Sequence, residues 1–292
     1  MKNQKKDQPP ALPKGKLMAI GGNEDKGSIP APSEELHRRQ VRFFEHGILK
    51  RIHDELHGLG TRIEVITSAS MIPEEMGQAY LEAFSKLGCD NVGILQIQEK
   101  SQADKPEYLQ RLSEADAIMF TGGDQNRLTD IFTQTQALSL LKKRYFNEEK
   151  FLISGTSAGA MALSNIMIEG SEEYNSLVKG TVRTGQGLGL IDELIIDTHF
   201  INRRRMPRLI EAIAAFPNRM GIGLGEDTAI LISGGTCVET IGSGLVVVLD
   251  GRHLLENNYP NVQSGEAICL EKLIMHVLPK GKEFWTNTGL LT

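Results

Sequence analysis

The sequence predicts an α/β fold, a doubly wound and mostly parallel sheet, on three observations. Apolar runs recur as continuous stretches instead of polar–apolar alternations, which is the pattern of strands buried on both faces. Helix-length segments separate these runs, as right-handed crossovers between parallel strands require. Loops rich in glycine and polar groups close three of the runs, at the carboxyl ends where open parallel sheets bind ligands.

The elements follow in order. KLMAIGG (16–22) is the first strand, and a long helix is expected near 34–58. RIEVITSAS (62–70), a helix near 74–87, NVGILQIQ (91–98) and a short helix near 105–113 come next. AIMFTGG (117–123), one helix over roughly 125–144, and FLISGTS (151–157) complete the parallel part. Beyond Ser157 the strand signals shorten and glycines separate them: LGLIDELIIDTHF, GIGLGEDTAILIS (221–233) and GSGLVVVLDGRH (242–253). A single helix interrupts them at PRLIEAIAAF (207–216), where Pro207 suits a first helical turn. No proline- or serine-rich linker divides the chain, so the expectation is one domain over 15–292 behind a basic, proline-containing lead-in at 1–14.

With 292 residues, 40% of them hydrophobic, the chain can bury a large core. Its formal net charge of -5 argues against general nucleic-acid binding, which needs a basic footprint. Cys89, Cys237 and Cys269 lie far apart without C-x-x-C spacing, so neither a disulfide framework nor a zinc site is indicated and a reducing cytoplasm fits. No stretch approaches the roughly 20 apolar residues of a membrane span, and the lead-in has no apolar core of a signal peptide.

The chemistry centres on SGTSAGA (154–160), where Gly155, Ser157 and Gly159 have the spacing of a nucleophile elbow. The spacing alone also describes any glycine-rich bend, so partners are needed. Among seven histidines only His199 ends a strand-like run in the later half; His37, His46, His53 and His57 fall within the first long helix, His253 at a hairpin and His276 in a C-terminal strand. A third group must hold the imidazole tautomer, and Glu226 in GEDTA is better placed for this than Asp197, on the same strand as His199, or Asp227, which reads as a turn residue. The order Ser, His, Glu differs from the Ser, acid, His order of α/β-hydrolases. The N–H groups of Ala158 and of a loop glycine such as Gly123 are candidate oxyanion donors. Arg203, Arg204, Arg205 and Arg208 cluster just after His199 and read as a subsite for an acidic substrate, against the plainer reading of a solvated basic turn. Glu24, Asp124 and Gln125 offer the opposite polarity in the same crevice. A phosphate-binding role for GGNEDKGS, as in a non-catalytic anion-binding protein, lacks both the Walker spacing and a full G-x-G-x-x-G.

GGNEDK, FTGGDQNRL, GTSAGAMA, DTHF, NRRRMPRL and GIGLGEDTA together resemble the cyanophycinases, serine peptidases related to aspartyl dipeptidase (peptidase E), and the resemblance runs over nearly the whole chain from about residue 15. It implies a flavodoxin-like core similar to class I glutamine amidotransferases. The implied reaction is hydrolysis of cyanophycin, a polyaspartate carrying arginine on its side chains, to β-Asp-Arg dipeptides. Matched motif by motif, the catalytic residues are Ser157, His199 and Glu226, and Gln125, Asp197, Arg203, Arg205 and Arg208 line the substrate pocket. A homodimer without metal or organic cofactor is implied as well. Asn23 departs from the family pattern, where a smaller residue is expected. An α-aspartyl or isoaspartyl dipeptidase of the same superfamily is the alternative within this resemblance.

Overall fold

The computed structural model describes residues 12–27, 42–56, 60–172 and 177–288. The lead-in up to residue 11, residues 34–41 and 57–58 of the expected first helix, and with them His37 and His57, lie outside the described residues.

Five parallel strands form the centre: β1 (Lys16–Ile20), β2 (Ile63–Ile66), β3 (Val92–Leu95), β4 (Ala117–Phe120) and β5 (Leu152–Thr156). Their spatial order is β1-β5-β4-β2-β3, so the chain reverses direction across the sheet beside β2, as doubly wound folds do. Strands β6 (Ile166–Ser171) and β7 (Val182–Gln186) pair as a separate hairpin, and the two-residue strands β13 (Glu256–Asn257) and β14 (Leu270–Glu271) pair antiparallel with each other. Three antiparallel strands extend the main sheet past β1, namely β10 (Thr228–Ser233), β11 (Cys237–Gly242) and β16 (Glu283–Trp285).

Alternation along β1 shows how the sheet is sandwiched. Leu17 and Ala19 join one core cluster with Ile118, Phe120, Ile153, Leu128 and Leu141, while Met18 and Ile20 join another with Ile48, Ile52, Tyr80 and Phe84. Both faces are therefore covered, which explains why the strands are predominantly apolar, with the buried Glu64 of β2 ion-paired to Arg62 and Arg111. Helices α1 (Ile48–Glu55) and α2 (Pro73–Lys86) cover the second face. The first face carries α3 (Lys100–Ala103), α4 (Pro106–Glu114), α5 (Gln125–Phe132), α6 (Gln136–Asn147) and α7 (Ala158–Ala162), while α8 (Met206–Ala215) packs on strands outside the main sheet.

Three expectations are corrected. The described part of the first helix is interrupted at Gly47, whose extended backbone (φ -67°, ψ 153°) separates a π-helical turn at Arg42–His46 from α1. The helix expected over 125–144 is two helices. Gln134 takes a left-handed φ of 63°, and the Thr135 hydroxyl accepts from the Leu138 N–H at 3.2 Å, capping the second. Most important for the site, GIGLGEDTAILIS is two strands in two sheets. Its first half, β9 (Met220–Leu224), pairs in parallel with β8 (Leu194–Asp197) and antiparallel with β12 (Val246–Asp250), which in turn pairs with β15 (Ile274–Leu278). This four-stranded sheet packs on the first face of the main sheet, and only β10 returns to the latter. The polar groups that follow β8 and β9 thus reach the centre from a second sheet, not from one rim of a single sheet.

Candidate active site

Ser157 stands between β5 and α7, at the N-cap position of the helix, with φ 52° and ψ -114°. A non-glycine residue there costs about 1–3 kcal/mol and persists only where its surroundings over-determine it. Several contacts do so here. The Ser157 N–H donates to the Ile20 carbonyl at 2.9 Å. A β-carbon at Gly155 would lie 2.5 Å from the Gly159 backbone, and one at Gly159 would lie 2.5 Å from the Phe120 carbonyl oxygen, so both glycines are needed for strand, turn and helix to approach.

Ser157 Oγ stands 2.9 Å from His199 Nε2, and His199 Nδ1 stands 2.8 Å from Glu226 Oε1. Hydrogen bonds from His199 and then Asn23 hold the Glu226 carboxyl below its usual range. Burial lowers the His199 pKa, the Glu226 hydrogen bond opposes this, and the Arg203 charge lowers it further. A neutral imidazole beside an ionised carboxylate has one arrangement of protons: Nδ1–H donates to Glu226, and Nε2 is left to accept from the Ser157 hydroxyl.

The three side chains come from two sheets, and the strand exit of β1 joins them. Three consecutive carbonyls, those of Ile20, Gly21 and Gly22, accept the N–H groups of Ser157, His199 and Asp227, each at 2.9 Å. Gly21 and Gly22, which open GGNEDKGS, are therefore part of a clasp whose carbonyls point at the chain, and the Gly21 N–H is itself spent on the Thr228 carbonyl at 2.8 Å. A phosphate loop would need its N–H groups outward. Gly22 also adopts φ 100°, a conformation that favours glycine.

The arginine cluster divides in two. Asp197, wholly buried, accepts from Arg208 Nε at 2.6 Å, from Arg208 Nη2, and from Arg205 Nη1 at 3.3 Å, as well as from the Thr198 N–H at 2.8 Å. Arg203 and Arg204 are exposed. Gln125 donates its amide to the Ile168 and Glu169 carbonyls of β6 at 3.0 and 2.9 Å. Gly122 adjoins the serine, since a β-carbon there would lie 3.4 Å from Ser157 Cβ, whereas Gly123 packs on the Ala69 carbonyl. A cavity of about 850 Å³ reaches from Asn23 and Glu24 to Asp227, Ser243 and Lys280. Among the described residues no group of three or more His, Cys, Asp or Glu side chains is placed to hold a metal ion, and no helix is long and apolar enough to cross a membrane.

Residues 41–240 match Peptidase family S51. The chain belongs to this family. It is 35% identical over 268 residues to a cyanophycinase of Synechococcus elongatus, covering 92% of this chain and 78% of that protein. Against a cyanophycinase of Trichormus variabilis it is 33% identical over 275 residues, 94% of this chain and 87% of the relative. The crystal structure of a peptidase from an acI-B1 Actinobacterium superposes with a TM-score of 0.62 at 21% identity, over 94% of this chain and 98% of that one, and shares the fold. The protein is thus a hydrolase of the peptidase class with the mixed α/β architecture its sequence predicts.

Sequence reasoning about this S51 peptidase misses two contributors. Asn202 donates to Glu226 Oε2 at 3.0 Å, yet in NRRRMPRL the neighbouring arginines draw the attention. Glu24, read as a crevice carboxylate, is instead 4% exposed and turned inward to Tyr80, Thr156 and Lys26. Nothing local in α2 marks Tyr80 as its partner.

Proposed function

We propose that this chain hydrolyses cyanophycin to β-Asp-Arg dipeptides through a serine acyl-enzyme, with Ser157, His199 and Glu226 as the catalytic residues. The observation that carries this reading is the continuous line of hydrogen-bond contacts from Ser157 Oγ through the imidazole to Glu226, in a family whose relatives of 33–35% identity are named cyanophycinases.

In the first step His199 Nε2 takes the hydroxyl proton as Ser157 Oγ attacks the carbonyl carbon of the scissile amide. Glu226 stabilises the imidazolium that results. The oxyanion is assigned to the N–H groups of Ala158 and Gly123. Ala158 is the first residue of α7, whose initial N–H groups have no acceptor within the helix. When the C–N bond breaks, His199 returns its proton to the departing amine. Water, deprotonated by the same imidazole, then attacks the ester and frees Ser157.

The substrate pocket in this reading comprises Gln125, Asp197, Arg203, Arg205 and Arg208. Arg203 is the exposed cation for an aspartate or arginine carboxylate, while Arg205 and Arg208, tied to Asp197, build the wall behind it. We further propose a homodimer working in the cytoplasm without metal or organic cofactor.

The test is to incubate cyanophycin, and separately Asp-X dipeptides, with the wild-type chain and Ser157→Ala, and to identify products by mass. Release of β-Asp-Arg by the wild type alone is expected. Cleavage of dipeptides with none released from the polymer would move the assignment to an aspartyl dipeptidase. No cleavage of either, with Ser157 inert to a fluorophosphonate, would favour a binding protein.

A further inference from the structure

Among the buried ionisable groups to which the mechanism above gives no task, Glu24 lies nearest to Ser157 in its contacts, through Thr156. Glu24 lies two residues beyond the carbonyl clasp, and three donors converge on its carboxylate: Thr156 Oγ1 at 2.7 Å, Lys26 Nζ at 2.9 Å and the Tyr80 hydroxyl. Tyr80 is fully buried and Thr156 is 3% exposed. Burial alone would raise the Glu24 carboxyl, but the Lys26 charge and the hydrogen bonds from Tyr80 and Thr156 outweigh it and hold the group ionised. Lys26 also lies 4.8 Å from the centre of the Tyr80 ring, so the ammonium is fixed from two sides.

Thr156 is the residue immediately before Ser157, and its hydroxyl is bound to Glu24 as β5 enters the left-handed turn. We propose that Glu24 is a positioning residue for Ser157: its carboxylate holds Thr156 and thereby maintains the strained turn that aims the Ser157 hydroxyl at His199. This inference rests on reading Ser157 as the nucleophile. Only an ionised carboxylate suits the place, because it accepts hydrogen bonds without donating any. A glutamine would set its NH₂ either against the Thr156 hydroxyl, which would have to reverse its bond, or against Tyr80 and Lys26, whose ammonium cannot accept. The turn would then drift, and a small misplacement of a reacting atom lowers the chemical step without loosening substrate.

The experiment compares wild type, Glu24→Gln, Thr156→Val, their double variant and Ser157→Ala in steady-state hydrolysis of cyanophycin, with thermal unfolding of each. Glu24→Gln and Thr156→Val should each lower kcat about 10- to 100-fold, with KM changed less than about twofold. The double variant should be no worse than the poorer single, because both break one link. Labelling of Ser157 by a fluorophosphonate should slow in parallel. Wild-type kcat in the folded single variants, or multiplying losses in the double, overturns the proposal. If Glu24→Gln fails to fold, the near-isosteric Thr156→Val decides alone. Hydrolysis that persists in Ser157→Ala would overturn the nucleophile assignment itself, an outcome distinct from wild-type rates in the Glu24 and Thr156 variants beside an inactive Ser157→Ala.

Discussion

The imidazole of His199 occupies the space that a side chain on Gly22 would need. A β-carbon at Gly22 would stand 2.4 Å from His199 Cε1 and 2.5 Å from Nε2, the nitrogen that meets Ser157. Gly22→Ala should therefore displace the ring and lower kcat on cyanophycin by about 100-fold, with KM little changed. Its φ of 100° adds backbone strain, so stability should fall by about 1–3 kcal/mol, read from denaturant unfolding of the same preparation. Wild-type kcat in this variant would mean that the ring is not held where the geometry puts it.

The pH dependence has a definite sign. His199 must be neutral to accept the Ser157 proton, so activity should rise with pH through a pKa below the ordinary imidazole value of about 6.5 and level off near neutrality. Arg203 is one of the charges that lower this pKa. Replacing Arg203 with Gln should move the acid limb of kcat/KM to higher pH. Glu226→Gln removes the group that opposes the lowering, so the limb should move the other way while kcat falls on the order of 10³–10⁴-fold. A limb that stays in place in Arg203→Gln would show that this guanidinium is electrically remote from the ring.

Much of this arrangement is legible in the sequence, and the boundary has physical causes. The five parallel strands announce themselves because burial on both faces makes them predominantly apolar, as in AIMF and LMAI. Ser157, His199 and Glu226 can be singled out because each stands at the polar end of an apolar run. The break at Thr135 is hidden because TQTQ has the composition of a helix surface, and only the cap bond to Leu138 distinguishes it. The second sheet is hidden because only Gly225, Glu226 and Asp227 separate the apolar β9 and β10, with the turn at Asp227 (φ 47°) carried by a non-glycine residue. Pairing across long separations is invisible to local patterns: Glu24 meets Tyr80 and Thr156 from 56 and 132 residues away. The split of the arginines likewise depends on the turn at 199–205, which brings Asp197 under Arg205 and Arg208 and leaves Arg203 outside.

Glu226 is steadied on Oε2 by Asn202 at 3.0 Å, and the Asn23 side chain also hydrogen-bonds to its carboxylate. These are bonds to a charged but partly exposed group, so each is worth less than a buried equivalent. Asn202→Ala and Asn23→Ala should each lower kcat by less than about tenfold, and the double variant by more than either. If Asn23→Ala instead raised the rate, Asn23 would be an obstruction to substrate and not a support.

Asp197 separates two views of the pocket. If its carboxylate served the substrate directly, Asp197→Asn would raise KM and leave the fold intact. The geometry favours a different outcome, because the side chain has no exposed surface and accepts hydrogen bonds from both Arg205 and Arg208. An asparagine would set an NH₂ group against an arginine N–H and leave two partly buried cations without their counter-charge. Removing one partner of such a pair costs on the order of 3 kcal/mol. Urea unfolding of Asp197→Asn should show a lower midpoint with an unchanged slope. Because the Arg205 guanidinium also donates to the Thr198 carbonyl at 2.8 Å, next to His199, kcat should fall together with stability. A raised KM at wild-type stability would instead place Asp197 against the substrate.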